Sequence, residues 1–149
     1  MRVVQQPANN PAYVSTSDDV LTQFGMAARF DVIGILAHNY LAGRYFSNLV
    51  IGQEVRVVYG DGQVSYYAIT AIYQYQALQP DSPTSNFVDL NTGARMTANE
   101  LFIKLYQGGD HITFQTCIAN GSLLSWGRLF VIAEPIPVPE PSMQGKSFR

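Results

Sequence analysis

The sequence predicts a mostly β domain, a mixed barrel or sandwich with few, short helices. About seven short stretches are rich in Val, Ile, Tyr and Thr, and several alternate apolar with polar residues, which is typical of strands. Turn residues separate these stretches, and no internal repeat is present. The 149 residues are 47% hydrophobic and 13% charged, which fits one folded domain with a core.

The N-terminal third is predicted to contain one helix and one buried strand. Residues 1–16 are polar and contain prolines, so we expect a flexible lead-in. The stretch Ser17–Phe24 begins with a serine suited to an N-cap and two acidic residues, which predicts a helix that Gly25 ends. The apolar run 32–37 predicts a buried strand that carries His38 at its end.

The middle of the chain is predicted to be a hairpin between two loops. Residues 40–48 are expected to form a loop with a short helical turn. The stretches 54–59 and 63–75 alternate as strands, and the Asp-Gly dipeptide at 61–62 between them is a strong two-residue hairpin signal. Two prolines indicate a loop at 79–86.

The C-terminal part is predicted to hold a capped helix, two strands and a stiff tail. A Thr-x-x-Glu capping box opens a helix over 97–106. Strands are predicted at 111–116 and 129–133. The Pro-rich segment 135–149 is expected to be a flexible tail, which leaves 17–134 as the single folded domain.

Composition and residue counts exclude several classes of function. The net charge is −2 and the arginines are spread along the chain, so no nucleic acid partner is expected. A single cysteine excludes an intramolecular disulfide and a Cys-rich zinc site. His38 and His111 lack metal-ligand spacing, so neither a metal nor a cofactor is expected. No apolar run approaches the roughly 20 residues of a membrane span, and residues 1–16 lack the apolar middle of a signal peptide.

The lone cysteine, Cys117, ends a predicted strand, and a basic residue, Arg128, starts the next. A thiolate is the nucleophilic form of cysteine, and positive charge nearby favours it. His38 is the candidate acid and base. Asn39 either orients this histidine or forms a turn, and Trp126 either lines a groove or packs locally.

The residues around these positions resemble those of sortases. The run Thr113-Phe114-Gln115-Thr116-Cys117 resembles the Thr-Leu-x-Thr-Cys signature of that family, with phenylalanine in place of leucine. Residues 35–39 are similar to the strand end that carries the family's histidine, and residues 127–133 to the strand that bears its essential arginine. The order His, Cys, Arg also matches. The resemblance covers residues 17–134.

The resemblance implies a closed β-barrel of about eight strands with a groove, and cysteine transpeptidase chemistry on sorting signals of the Leu-Pro-x-Thr-Gly type. Cys117 would form a thioacyl intermediate, His38 would move the proton, and Arg128 would stabilise the oxyanion. The Thr116 hydroxyl could add a donor. The implied partners are a protein with a C-terminal sorting motif and an amine acceptor. The implied location is the bacterial cell envelope or the extracellular space, with a leader or membrane anchor absent from this chain.

Two other functions remain open at this point. A cysteine peptidase or hydrolase would use the same residues and pass the acyl group to water, and sequence does not separate transfer from hydrolysis. A catalytically silent module would hold an extended peptide by strand-like contacts.

Overall fold

A computed structural model describes residues 1–137 of the chain. These residues form nine strands: β1 (Arg2–Gln5), β2 (Val20–Gln23), β3 (Ile33–Leu36), β4 (Glu54–Val58), β5 (Val64–Ala77), β6 (Phe87–Asp89), β7 (Arg95–Met96), β8 (Ile112–Asn120) and β9 (Leu123–Pro135). The helices are α1 (Gly25–Ala28), a 3-10 helix (Ala42–Asn48) and α2 (Ala98–Tyr106). The mostly β class with short helices is confirmed.

The strands form one mixed sheet in the order β1-β2-β3-β8-β9-β5-β6-β7, and β4 pairs with β5 outside this order. The long strands β5, β8 and β9 form its antiparallel centre, whereas β3 runs parallel to β8. The predicted barrel is not closed by hydrogen bonds. Within residues 1–137, β1 and β4 each pair with a single strand. Residues of both strands line a cavity of about 1100 Å³. In a closed barrel, backbone hydrogen bonds would join every strand to two neighbours.

Two apolar clusters pack on the two faces of the sheet, since successive residues of a strand point to opposite faces. The first contains Ile35, Ala37, Ala42, Phe46, Tyr67, Ile69, Ile112, Phe114, Leu129, Val131 and Ala133. The second, beneath α2, contains Ala27, Val32, Tyr75, Ala77, Phe87, Leu101, Leu105, Tyr106 and Phe130. Because β8 and β9 are packed on both faces near their middle, their register is firmly fixed.

The predicted helix at 17–24 is wrong. Residues 20–23 form β2, which pairs in parallel with β1 and antiparallel with β3. Val20 and Thr22 are 5% and 0% exposed and alternate with half-buried neighbours, so cross-strand pairing and burial override the local helix-start signal. Gly25 begins α1 instead of ending a helix.

Both ends of the chain also differ from the expectation. Part of the stretch predicted as a flexible lead-in, residues 2–5, pairs with β2 as β1. The predicted tail begins at Pro135, which is the last residue of β9, and the tail beyond residue 137 lies outside the described residues. The boundaries of the domain at 17–134 stay a prediction.

The other predicted elements are confirmed. The strand predicted at 32–37 is β3, and the strands predicted at 111–116 and 129–133 are the longer β8 and β9. The predicted hairpin is β4 and β5, but its turn is longer than the two residues expected, because the Tyr59 N–H donates to the Gln63 carbonyl at 2.9 Å. Both hydrogen bonds of the capping box of α2 are present: Glu100 N donates to Thr97 Oγ1 at 3.1 Å and Thr97 N donates to Glu100 Oε1 at 2.8 Å.

Candidate active site

Cys117 and Arg128 lie directly opposite each other on the antiparallel strands β8 and β9. Directly opposite residues project their side chains to the same face of a sheet. Phe130 belongs to the cluster beneath α2, and the Thr113 hydroxyl donates to the Leu105 carbonyl of that helix at 2.5 Å. By strand alternation, Cys117 and Arg128 therefore share the face that α2 covers. Both side chains are half-buried.

His38 follows β3, the strand parallel to β8, at the end where Cys117 lies. The register pairs Leu36 with Gln115. The strand pairing ends there, two residues before both His38 and Cys117. Ala37 is tied to β8 by two hydrogen bonds: its N–H donates to the Gln115 carbonyl at 3.3 Å, and its carbonyl accepts from Thr116 Oγ1 at 2.7 Å. The residues that precede the histidine and the cysteine are thus bonded directly to each other.

The turn after His38 packs closely against Ala37 and Thr116. The His38 carbonyl accepts from the N–H groups of Leu41 at 3.0 Å and Gly43 at 2.9 Å. A Cβ at Gly43 would lie 2.7 Å from the carbonyl oxygens of both Ala37 and His38, and closer still to Thr116 Oγ1. Glycine is therefore required for this close approach of the backbone.

The Arg128 guanidinium is held by backbone carbonyls. Nη1 donates to the carbonyls of Ser125 at 2.8 Å and Gly127 at 3.0 Å, and Nη2 donates to the carbonyl of Pro80 at 3.2 Å. In the described part of the chain, ion pairs to carboxylates involve only other arginines. The positive charge of Arg128 is therefore fixed in place without being neutralised, and the guanidinium retains further N–H donors.

The remaining predicted positions surround this group. The Asn39 side chain donates to the Leu124 carbonyl at 3.0 Å and so joins the histidine segment to the β8–β9 hairpin. Thr116 is 5% exposed, and its hydroxyl already donates to Ala37. Trp126 lies within β9, which begins before the strand predicted at 129–133, and it is half-buried.

Three contacts were not predicted from the sequence. The Tyr40 ring stacks on the His38 ring, with centroids 5.1 Å apart and planes at 20°. The other two are the close approach of Gly43 to Ala37 and Thr116 and the hydrogen bond from Arg128 to the Pro80 carbonyl. An aromatic residue two positions after the histidine is a signal that could have indicated the first contact, whereas no local pattern identifies the other two.

A buried tyrosine of α2 holds a β8 side chain close to Cys117. The Tyr106 hydroxyl of α2 donates to Gln115 Oε1, on the same face as Cys117 and two residues before it. Tyr106 is 3% exposed, and burial raises its pKa, so it stays protonated and remains a donor at neutral pH.

The described residues contain no group of three His, Cys, Asp or Glu side chains that could hold a metal ion. Over residues 1–137, no helix combines the length and apolar character needed to cross a membrane. A lone cysteine directly opposite an arginine, on a strand paired with the strand that precedes a histidine, is a combination suited to nucleophilic acyl chemistry.

Comparison with known proteins shows similarity at the level of structure. The sequence matches no family model, and no curated protein sequence matches it. Sortase C1 from Streptococcus suis aligns with a TM-score of 0.59 at 14% identity over 92% of this chain and 66% of its own. Sortase C-1 from Actinomyces oris aligns with a TM-score of 0.58 at 14% identity over 91% and 65%.

Sortase C1 from Streptococcus agalactiae aligns with a TM-score of 0.53 at 16% identity over 95% of this chain and 63% of its own. The chain therefore spans about 65% of the length of each of these three solved sortases. This agreement over nearly the whole chain shows that the protein has the fold of the sortases.

Proposed function

We propose that this protein is a cysteine transpeptidase of the sortase type, with Cys117 as nucleophile, His38 as acid and base, and Arg128 as the cation that stabilises the oxyanion. One observation carries the proposal: the chain's only cysteine lies directly opposite Arg128, and the parallel pairing of β3 with β8 ends two residues before both His38 and Cys117. This trio occurs in a chain with the sortase fold.

The first half-reaction transfers the acyl group to the enzyme. His38 holds the proton of the Cys117 thiol, and the thiolate attacks the carbonyl carbon between Thr and Gly of the sorting signal, so that a carbon–sulfur bond forms and the carbonyl oxygen takes up negative charge. The tetrahedral intermediate then collapses and the carbon–nitrogen bond breaks. His38 gives a proton to the departing amine. The product is a thioester on Cys117.

The second half-reaction reverses the roles. An incoming amine attacks the thioester carbonyl while His38 takes a proton from its nitrogen. A new amide bond forms, the carbon–sulfur bond breaks, and the sulfur leaves as a thiolate beside Arg128. Water in place of the amine would give hydrolysis.

Arg128 supports both steps by charge. Its guanidinium is fixed by three backbone carbonyls, so a donor aimed at the developing oxyanion needs little reorganisation during the reaction. Hydrogen bonds from a charged donor are roughly twice as strong as neutral ones. Asn39, Thr116 and Trp126 are proposed to position the site or the substrate around this trio.

The proposal extends to partners and location. The substrate would be a protein with a C-terminal sorting motif, the acceptor would carry an amine, and the reaction would take place at the bacterial cell envelope or outside the cell. The domain at 17–134 would carry the activity. Removal of residues 138–149 should leave peptide turnover unchanged, which checks the C-terminal side of this prediction.

Product masses test the proposed function directly. A pool of peptides of the Leu-Pro-x-Thr-Gly type would be incubated with the protein, with and without oligoglycine, and analysed by mass spectrometry. Cys117→Ala is the matched control, because it removes the thiol from a half-buried position and leaves the strand pairing intact.

We expect products that carry the oligoglycine, with the wild type only. Cleaved peptides without an amine adduct would instead support a cysteine hydrolase on the same residues. Peptide binding without turnover would support a silent binding module and contradict the proposed transfer.

A further inference from the structure

The loop between β5 and β6 contacts Arg128 from 48 residues away in the sequence. The Pro80 carbonyl of this loop accepts from Arg128 Nη2 at 3.2 Å. This hydrogen bond holds the guanidinium from a segment that lies outside the β8–β9 hairpin. The other two acceptors, the carbonyls of Ser125 and Gly127, belong to the arginine's own strand. The conformation of this loop therefore helps to set the direction of the guanidinium.

A buried serine closes that loop. Ser85 is 1% exposed, although the rest of residues 79–86 are exposed or half-buried. Its Oγ accepts from the Gln79 N–H at 2.9 Å and donates to the Asn86 carbonyl at 2.7 Å. Asn86 N in turn donates to Gln79 Oε1 at 3.0 Å. These bonds join the two ends of the loop beside Pro80.

The backbone on both sides of the contact has little freedom. Proline fixes its own φ and restricts the residue before it, so an anchored Gln79 leaves the Pro80 carbonyl few alternative directions. On the other side, a Cβ at Gly127 would lie 2.6 Å from the Tyr75 carbonyl, which shows how closely β9 packs on β5. Loss of the Ser85 hydroxyl would leave the Gln79 N–H without this acceptor and free the loop to move.

We propose that Ser85 is a positioning residue for Arg128: its hydroxyl holds the β5–β6 loop so that the Pro80 carbonyl fixes the guanidinium opposite Cys117. The inference deepens the proposed function and rests on it for its effect on catalysis. Its effect on the charge near the thiol does not depend on any substrate.

Alkylation of the single thiol measures that charge. The rate constants of Cys117 with iodoacetate, an anion, and with iodoacetamide, its neutral analogue, are measured by intact mass in the full chain. Their ratio reports positive charge held near the sulfur. We expect Arg128→Gln to lower the ratio about fivefold, the effect of a roughly 1 kcal/mol charge interaction.

Ser85→Ala should move the ratio at least halfway to the Arg128→Gln value. The control variant Thr84→Ala should keep the wild-type ratio, because it removes an exposed hydroxyl whose side-chain bond is within the loop, at Ser82. Circular dichroism and thermal melting confirm that each variant folds. If Ser85→Ala does not fold, Gln79→Ala, which removes the bond to Asn86 N, takes its place with the same expected ratio.

A wild-type ratio in a folded Ser85→Ala or Gln79→Ala variant would overturn the proposal. An unchanged ratio in Arg128→Gln would overturn it as well, because the guanidinium would then not act on the thiol. If the peptides prove not to be substrates while the ratios change as expected, the proposed function fails and the positioning role of Ser85 stands. With a peptide that is a substrate, Ser85→Ala should lower kcat by the same factor by which it lowers the ratio of the two alkylation rate constants. The change in KM should be smaller.

Discussion

The hydrogen bond from Thr116 Oγ1 to the Ala37 carbonyl is one of two that tie the segment before the proposed base to the segment before the proposed nucleophile. Thr116→Val keeps the β-branched shape and removes the hydroxyl that donates to the Ala37 carbonyl at 2.7 Å. Thr116 is 5% exposed, so the loss of a hydrogen bond to a carbonyl that becomes unsatisfied should lower the free energy of unfolding by about 1–3 kcal/mol. For a chain of this length, this corresponds to a decrease in Tm of about 3–9 °C.

The same change should also displace His38 relative to Cys117. Since misplacing a catalytic group by about 1 Å can cost about a hundredfold in rate, we expect peptide cleavage to fall by ten- to a hundredfold, roughly, at a temperature where the variant is folded. Thr116→Ser is the matched control, because it keeps the hydroxyl and loses a methyl worth about 1 kcal/mol; its cleavage rate should stay near that of the wild type. Equal cleavage rates for Thr116→Val and Thr116→Ser would refute the reasoning.

Two further predictions concern the turn after His38 and the buried Tyr106. Gly43→Ala should cost about 1–3 kcal/mol in unfolding free energy and suppress peptide cleavage, since its Cβ would lie 2.7 Å from the His38 carbonyl. Gly60→Ala, where a Cβ meets nothing within 4 Å, is the control in the same denaturation and cleavage assays, and equal effects would contradict the steric argument. Burial raises the pKa of Tyr106. The unfolded chain releases this proton near pH 10 and the folded chain retains it, so stability should be complete below about pH 10 and fall above it by up to about 1.4 kcal/mol per pH unit. Denaturant titrations across this range should show a shallower decrease for Tyr106→Phe; an unchanged slope would contradict the assignment.

Local sequence patterns predicted an element correctly where its preferred secondary structure is also the one that its tertiary contacts stabilise. The apolar run at 32–37 is a strand because both of its faces are covered, and the capping box at Thr97 and Glu100 forms because both partners lie within one turn. Residues 17–24 show the opposite case. A serine followed by acidic residues favours a helix locally, but pairing with β1 and β3 decides the outcome.

The candidate site divides in the same way. His38, Cys117 and Arg128 could be singled out because they stand in recognisable runs of sequence. In the structure, Cys117 lies directly opposite Arg128, and the pairing of β3 with β8 ends two residues before His38. The contacts of Pro80 and Gly43 could not be predicted. One links residues 48 positions apart, and the other depends on the close approach of two backbone segments, so neither leaves a periodic or local pattern.

The central claim is that Cys117 carries the acyl group between two half-reactions. The most direct measurement is the intact mass of the protein after incubation with a Leu-Pro-x-Thr-Gly peptide and an acid quench, followed by peptide mapping. Our account predicts an adduct of the acyl fragment on Cys117, and this adduct should disappear when oligoglycine is added. In the His38→Ala and Arg128→Gln variants, the same adduct should form more slowly. Turnover of the peptide without an adduct, or an adduct on any other residue, would contradict it.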